Sequence, residues 1–159
     1  MSAQLKAALG SVTVPSGIDK VVAFSCSTMI YAEKPEAVKA SMAQHILALA
    51  IRDLLAARYG KAASEITCYA QDPIYTRIDE QVLVDDEGVV VLDDPAGFLQ
   101  VDENCVFLAI ASHIPVRQIV ADIARPAILL WDKVEVSGLG EDGQVPSSSR
   151  SFVCVKGIR

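Results

Sequence analysis

The sequence predicts a three-layer α/β sandwich: a mostly parallel sheet of about five strands with helices on both faces. Three observations carry that expectation. Five short apolar runs, at 20–24, 66–70, 89–92, 105–110 and 126–131, alternate with segments of helical period. The runs are apolar on both of their faces, as strands covered on two sides must be. Each run also stops abruptly in hydroxyls, carboxylates or a histidine, and in a parallel sheet such stops share the edge where ligands bind.

The elements follow in order. Residues 2–10 read as a short amphipathic helix with Leu5, Ala8 and Leu9 inward, closed by Gly10. Lys20–Phe24 is the first strand, with Ser25-Cys26-Ser27-Thr28 as its polar tip. Pro35 suits the first position of a long helix running to Tyr59 and ended by Gly60. On that helix Ala43, Leu47, Ala50, Ile51, Leu54 and Leu55 share one face, which predicts the sheet-facing side. Ser41, His45 and Arg52 fall on a different stripe.

The second strand, Ile66-Thr67-Cys68-Tyr69-Ala70, runs into Gln71-Asp72-Pro73, where the proline biases Asp72 away from helix and ends the strand. Thr76-Arg77-Ile78-Asp79 is an N-cap with a carboxylate three residues on, opening a short helix with Ile78, Val82 and Leu83 inward. Val89–Leu92 is the third strand, stopping at Asp93-Asp94-Pro95. The stretch 96–104 is short for a crossover helix, although Phe98 and Val101 are placed to pack. Cys105–Ile110 stops at Ser112-His113, Pro115 opens a helix carrying Val116, Ile119, Val120 and Ile123, and the last strand stops at Asp132. Beyond Ser137, Gly, Ser, Asp and Pro dominate. The expected organisation is therefore an N-terminal helix and lead-in over 1–19, an α/β domain over 20–136 and a flexible tail over 137–159. The apolar run Phe152–Val155 is left either as an edge strand or as unstructured chain.

Composition excludes several classes. At 159 residues and 52% hydrophobic, the chain is long enough for a substantial core. A net charge of −6 without a basic cluster argues against a nucleic-acid surface. No window is apolar enough for a signal peptide or a membrane span. Cys26, Cys68 and Cys105 lie in or beside apolar runs with no CxxC pair, so they read as buried thiols of a reducing compartment, cytoplasmic or also nuclear. Neither GxGxxG nor GxxxxGK[ST] follows the first strand, which argues against a dinucleotide or P-loop site.

The ligand-facing candidates are the strand stops and the helix beside the first of them: Ser25, Ser27, Gln44, His45, Asp72, Tyr75, Asp93, His113 and Asp132. Two roles are open to them. As a binding module, these residues line a strand-end pocket for a small molecule or a protein partner. As an enzyme, Ser27 or Ser25 is a nucleophile, His113 its base and Asp132 or Asp72 the orienting acid of an acyl-transfer set, although the G-x-S-x-G elbow is absent. The plainer reading of the serines is capping and turn bonding, and that of Asp72 is a turn carboxylate before proline. No cofactor is expected. A metal or haem site through His45, His113 and a cysteine lacks close-spaced ligand pairs, and no metal site is predicted.

Several motifs, taken in order, resemble the SRR-like domain, the family named for plant "sensitivity to red light reduced" proteins. They are the first strand with its Gln44-His45 helix, Tyr69-Ala70-Gln71-Asp72-Pro73 with Tyr75-Thr76, and Gly88-Val89-Val90-Val91-Leu92. Val101-Asp102-Glu103-Asn104-Cys105-Val106-Phe107, then His113, and finally the strand 128–132 continue the series. The resemblance implies a Rossmann-like fold and an association with circadian and light signalling. In relatives it also implies links to cytoskeletal stability or to haem metabolism and clock output. It brings no agreed catalytic activity. The chain departs from the family pattern in Ser25-Cys26-Ser27, where a glycine-bearing turn is common. It departs again in Ala111-Ser112-His113-Ile114-Pro115, where a Pro-His-Cys-like end is common.

Overall fold

In a computed structural model, the chain is described over residues 14–31, 33–112 and 115–132, and for the backbone of 152–156. The predicted N-terminal helix and most of the predicted tail lie outside these residues, as does His113. Five parallel strands form the sheet: β1 (Lys20–Phe24), β2 (Thr67–Gln71), β3 (Val90–Val91), β4 (Cys105–Ala109) and β5 (Ile128–Asp132). A sixth, β6 (Phe152–Lys156), pairs antiparallel with β5 and gives the order β3-β2-β1-β4-β5-β6. The late apolar run is thus an edge strand, and the chain doubles back to place it there.

Alternate residues of each strand face opposite layers, as a period of two requires. Val21 and Ala23 of β1, with Val106 and Leu108 of β4, pack under the long helix α1 (Pro35–Tyr59). Val22, Phe24, Cys105 and Phe107 face the other way, against Phe98, Val101 and the helix α3 (Val116–Ile123). Phe24 stacks obliquely on Phe98 and Phe107, with ring centroids 4.7 and 5.6 Å apart. A short helix α2 (Arg77–Gln81) continues as a wider π-type turn through Val82–Asp86 on the α1 side. With α1 and α2 on one face and α3 on the other, every crossover has the same hand.

The local signals for α1 hold: Pro35 stands in its first turn, and Gly60 closes it in a left-handed conformation (φ 65°) that L side chains rarely adopt. The sheet-facing stripe is different from the expected one. Its buried members are Ser41, His45, Ala48, Ile51, Leu55 and Ala56, whereas Ala43 is exposed. An apolar-only pattern misplaces the stripe because the first half of α1 crosses the polar tips of the strands, where the inward side chains must hydrogen-bond. The same reversal occurs in α2. Ile78 and Val82 point to solvent, and Asp79 is the buried residue of the first turn, because it satisfies four donors there.

The amino ends of the strands are tied by structure. Lys20 Nζ donates to Asp102 Oδ2 at 2.7 Å, and Asn104 N donates to Asp102 Oδ1 at 2.9 Å. The Val-Asp-Glu motif at 101–103 is therefore an anchor for the starts of β1 and β4. A cleft of about 540 Å³ near Asp102, Asp122 and Arg125 also lies at this end, away from the edge where parallel sheets bind ligands.

Candidate functional site at the β1–β4 switch point

Strand register aligns the polar stops. Phe24 pairs with Gln71 and Ala109, Ala109 with Trp131, and Ala70 with Val91. One residue further, Ser25, Asp72, Ile110 and Asp132 form a row, and Asp93 extends it on β3. The chain leaves β1 and β4 in opposite directions, so the gap between their carboxyl ends is the topological switch point.

Three non-glycine residues at that point occupy the left-handed backbone region: Ser25 (φ 58°), Ser27 (φ 66°) and Ala111 (φ 54°). Such conformations cost about 1 kcal/mol or more each and persist only where surrounding contacts enforce them. Those contacts are visible. Ser25 N donates to Gln71 O at 3.2 Å, and the Ser25 and Ser112 hydroxyls are 2.8 Å apart, bridging β1 to β4. Ser27 N donates to Asp72 Oδ2 at 2.8 Å, while Asp72 Oδ1 receives Ile74 N at 3.1 Å. Asp72 is thus both a turn carboxylate and the clamp on the β1 tip.

Asp79 clamps the next residues of the same tip. Fully buried, it receives the Thr28 hydroxyl at 2.7 Å and Met29 N at 2.7 Å. It also receives the amide and the hydroxyl of Thr76, each at 2.8 Å. Burial works to raise its carboxyl, but the donors from Thr28, Met29 and Thr76 outweigh that and hold it below the usual carboxylate range. The predicted Thr76–Asp79 cap is present. Its reach to Thr28, fifty-one residues away, has no local sequence signal.

His45 is 6% exposed and sits beneath the tip. Its Nδ1 lies 2.8 Å from the Ser41 carbonyl and must carry the proton, so Nε2 accepts from the Tyr75 hydroxyl at 2.8 Å. Burial lowers its proton affinity, against the opposing pull of the Ser41 carbonyl, and keeps it neutral. Ser41 in turn donates to Ser27 O at 2.9 Å. Burial pushes the Cys26 thiol up to about 12, and it is no nucleophile at neutral pH.

The structure therefore brings together Ser25, Ser27, His45, Asp72 and Tyr75, and adds Thr28, Ser41, Asp79 and Ser112. Tyr75 turns inward to His45. Asp93 is exposed on the edge strand, two strands from the switch point. Asp132 ends β5, opposite Phe152. Gln44 lies one helical turn beyond Ser41, and its Oε1 is buried with no hydrogen-bond partner. Among the described residues, the serine hydroxyl beside a histidine is that of the buried Ser41, 3.5 Å from His45 Nδ1. Among the described residues, no Ser25 or Ser27 hydroxyl bonds to a histidine, and no group of three potential metal ligands is assembled.

Strand order, crossovers and switch-point geometry define a Rossmann-like α/β domain with a hydroxyl-lined strand-end edge and no glycine phosphate loop. The chain belongs to the SRR1 domain family, whose model matches residues 5–151. Comparison with curated proteins and with solved structures found no match. No described helix is long and apolar enough to cross a membrane.

Proposed function

We propose that this SRR1 domain is an intracellular binding module. Its site is the β1–β4 switch point, where a small polar molecule or a segment of a protein partner is held at Ser25, Ser27 and Ser112. The observation that carries the reading is the set of three left-handed, non-glycine residues gathered there. Backbone strain of this kind is concentrated at functional sites. The buried, unpartnered Oε1 of Gln44 supports the reading, since it offers a hydrogen-bond acceptor to a ligand donor. Among the described residues, the free, buried Cys26, Cys68 and Cys105 fit a reducing compartment. The family's association with light and clock signalling favours a regulatory role over turnover of a substrate.

The test is a thermal-shift screen of the full chain against small metabolites, nucleotides and haem. A true ligand raises the melting temperature of the wild type but not of a Ser25→Ala, Ser112→Ala variant that folds normally. Equal shifts in both proteins would place the site elsewhere.

A further inference from the structure

The outward turn of Ile78 and Val82 exposes a surface that the strand-end site does not use. The residues lie one helical turn apart on the 77–86 segment, 55% and 36% exposed, while Asp79 and Leu83 occupy the buried side. The adjoining element is α1. His45 reaches Tyr75, and Arg52 Nη1 donates to Glu87 O at 2.8 Å, so the flank of α1 carrying His45 and Arg52 adjoins the 75–87 segment. At about 3.6 residues per turn, Met42 and Ile46 lie on that same flank, further toward solvent. They are 47% and 60% exposed. Exposed apolar side chains, Met42 and Ile46 on α1 and Ile78 and Val82 on the 77–86 segment, therefore lie on two adjoining helical elements.

Charge selects the occupant. The end of this pair of elements marked by the Arg52–Glu87 contact carries the exposed carboxylates of Asp53, Asp85, Asp86 and Glu87. The cation between them, Arg52, is engaged by Asp53 and the Glu87 carbonyl. We propose that these four side chains wall an apolar groove that docks an amphipathic helix of a protein partner, with lysines or arginines at the acidic end. Helix-in-groove recognition needs this combination of an aliphatic trough and a charged rim, and methionine lets the trough adapt to its occupant. Rim carboxylates steer association and set orientation.

The experiment uses the full chain and a fluorescein-labelled helical peptide of leucines and lysines. A counterpart with glutamate at every lysine is the control, and binding is followed by anisotropy. The lysine peptide should bind and the glutamate peptide should not. Ile46→Asp and Val82→Asp, both at exposed positions, should each weaken binding by about tenfold or more. Asp85→Asn with Asp86→Asn should flatten its salt dependence. Leu99→Asp, an exposed site on the other face, should change nothing. Equal binding of the two peptides would overturn the proposal, as would unchanged affinity in Ile46→Asp and Val82→Asp. Sedimentation showing a dimer that Ile46→Asp dissociates would give the groove to a second copy and overturn it as well.

Discussion

Asp79 is the residue whose removal should do the most damage for its size. Its carboxylate receives four donors from two segments, Thr28–Met29 after β1 and Thr76 at the start of α2. In Asp79→Ala the two hydroxyls can turn to other acceptors, but the amides of Met29 and Thr76 cannot. Charge-assisted bonds contribute about 1.5–3 kcal/mol, and a stranded buried donor costs about 1–3 kcal/mol, so the loss should be about 3–5 kcal/mol. That corresponds to roughly 6–20 °C in Tm at the 2–4 °C per kcal/mol expected for a chain this long. Asp79→Asn keeps the shape but turns a donor toward donors, and should cost about 2–3 kcal/mol. Urea denaturation of the two variants measures this directly. A double-mutant cycle with Thr28→Val should return a coupling of about 1–2 kcal/mol. An Asp79→Asn protein within about 1 kcal/mol of wild type would refute the idea that this carboxylate holds the β1 tip.

Three further outcomes follow from the same geometry. His45 is held below its ordinary value of 6.5 by burial, so below that pH the unfolded chain takes up a proton that the folded chain resists. Stability should therefore fall as pH drops from about 6.5 toward the lower folded value, by up to about 1.4 kcal/mol per pH unit, and His45→Gln should remove that slope in denaturation curves. Gly97→Ala would put a Cβ 2.5 Å from Gln71 Oε1, displacing a buried side chain that bonds Gly97 N and Asp94. Its cost should be about 1–3 kcal/mol by the same assay, and a neutral result would mean that Gln71 repacks freely. Ala111→Gly relieves a φ of 54°, so it should be neutral or stabilising by up to about 1 kcal/mol; a loss of more than that would argue against strain there.

The fold was legible because its signals are local. Pro35 and Gly60 bracket α1, Pro73 ends β2, and strands apolar on both faces announce a sheet covered on two sides. The row of strand stops was legible for the same reason, since it depends only on where each apolar run ends. The wiring of the site was not. His45 falls off the predicted apolar stripe because Ser41 and His45 are polar, yet they continue the inward stripe of Ala48, Ile51 and Leu55. Asp79 read as a cap alone, because its partners Thr28 and Met29 are distant in sequence. Left-handed backbone at Ser25, Ser27 and Ala111 has no signature in residues that usually avoid it.

The proposed binding place of the domain is the hydroxyl-lined edge between β1 and β4. Its most direct test is a crystal structure of the full chain, purified without added ligand, at a resolution that shows ordered solvent. Density for a bound molecule is expected against Ser25 and Ser112, displacing or bridging their mutual hydrogen bond. An edge closed by protein, with the Ser25–Ser112 bond intact and no density beside it, would contradict this reading.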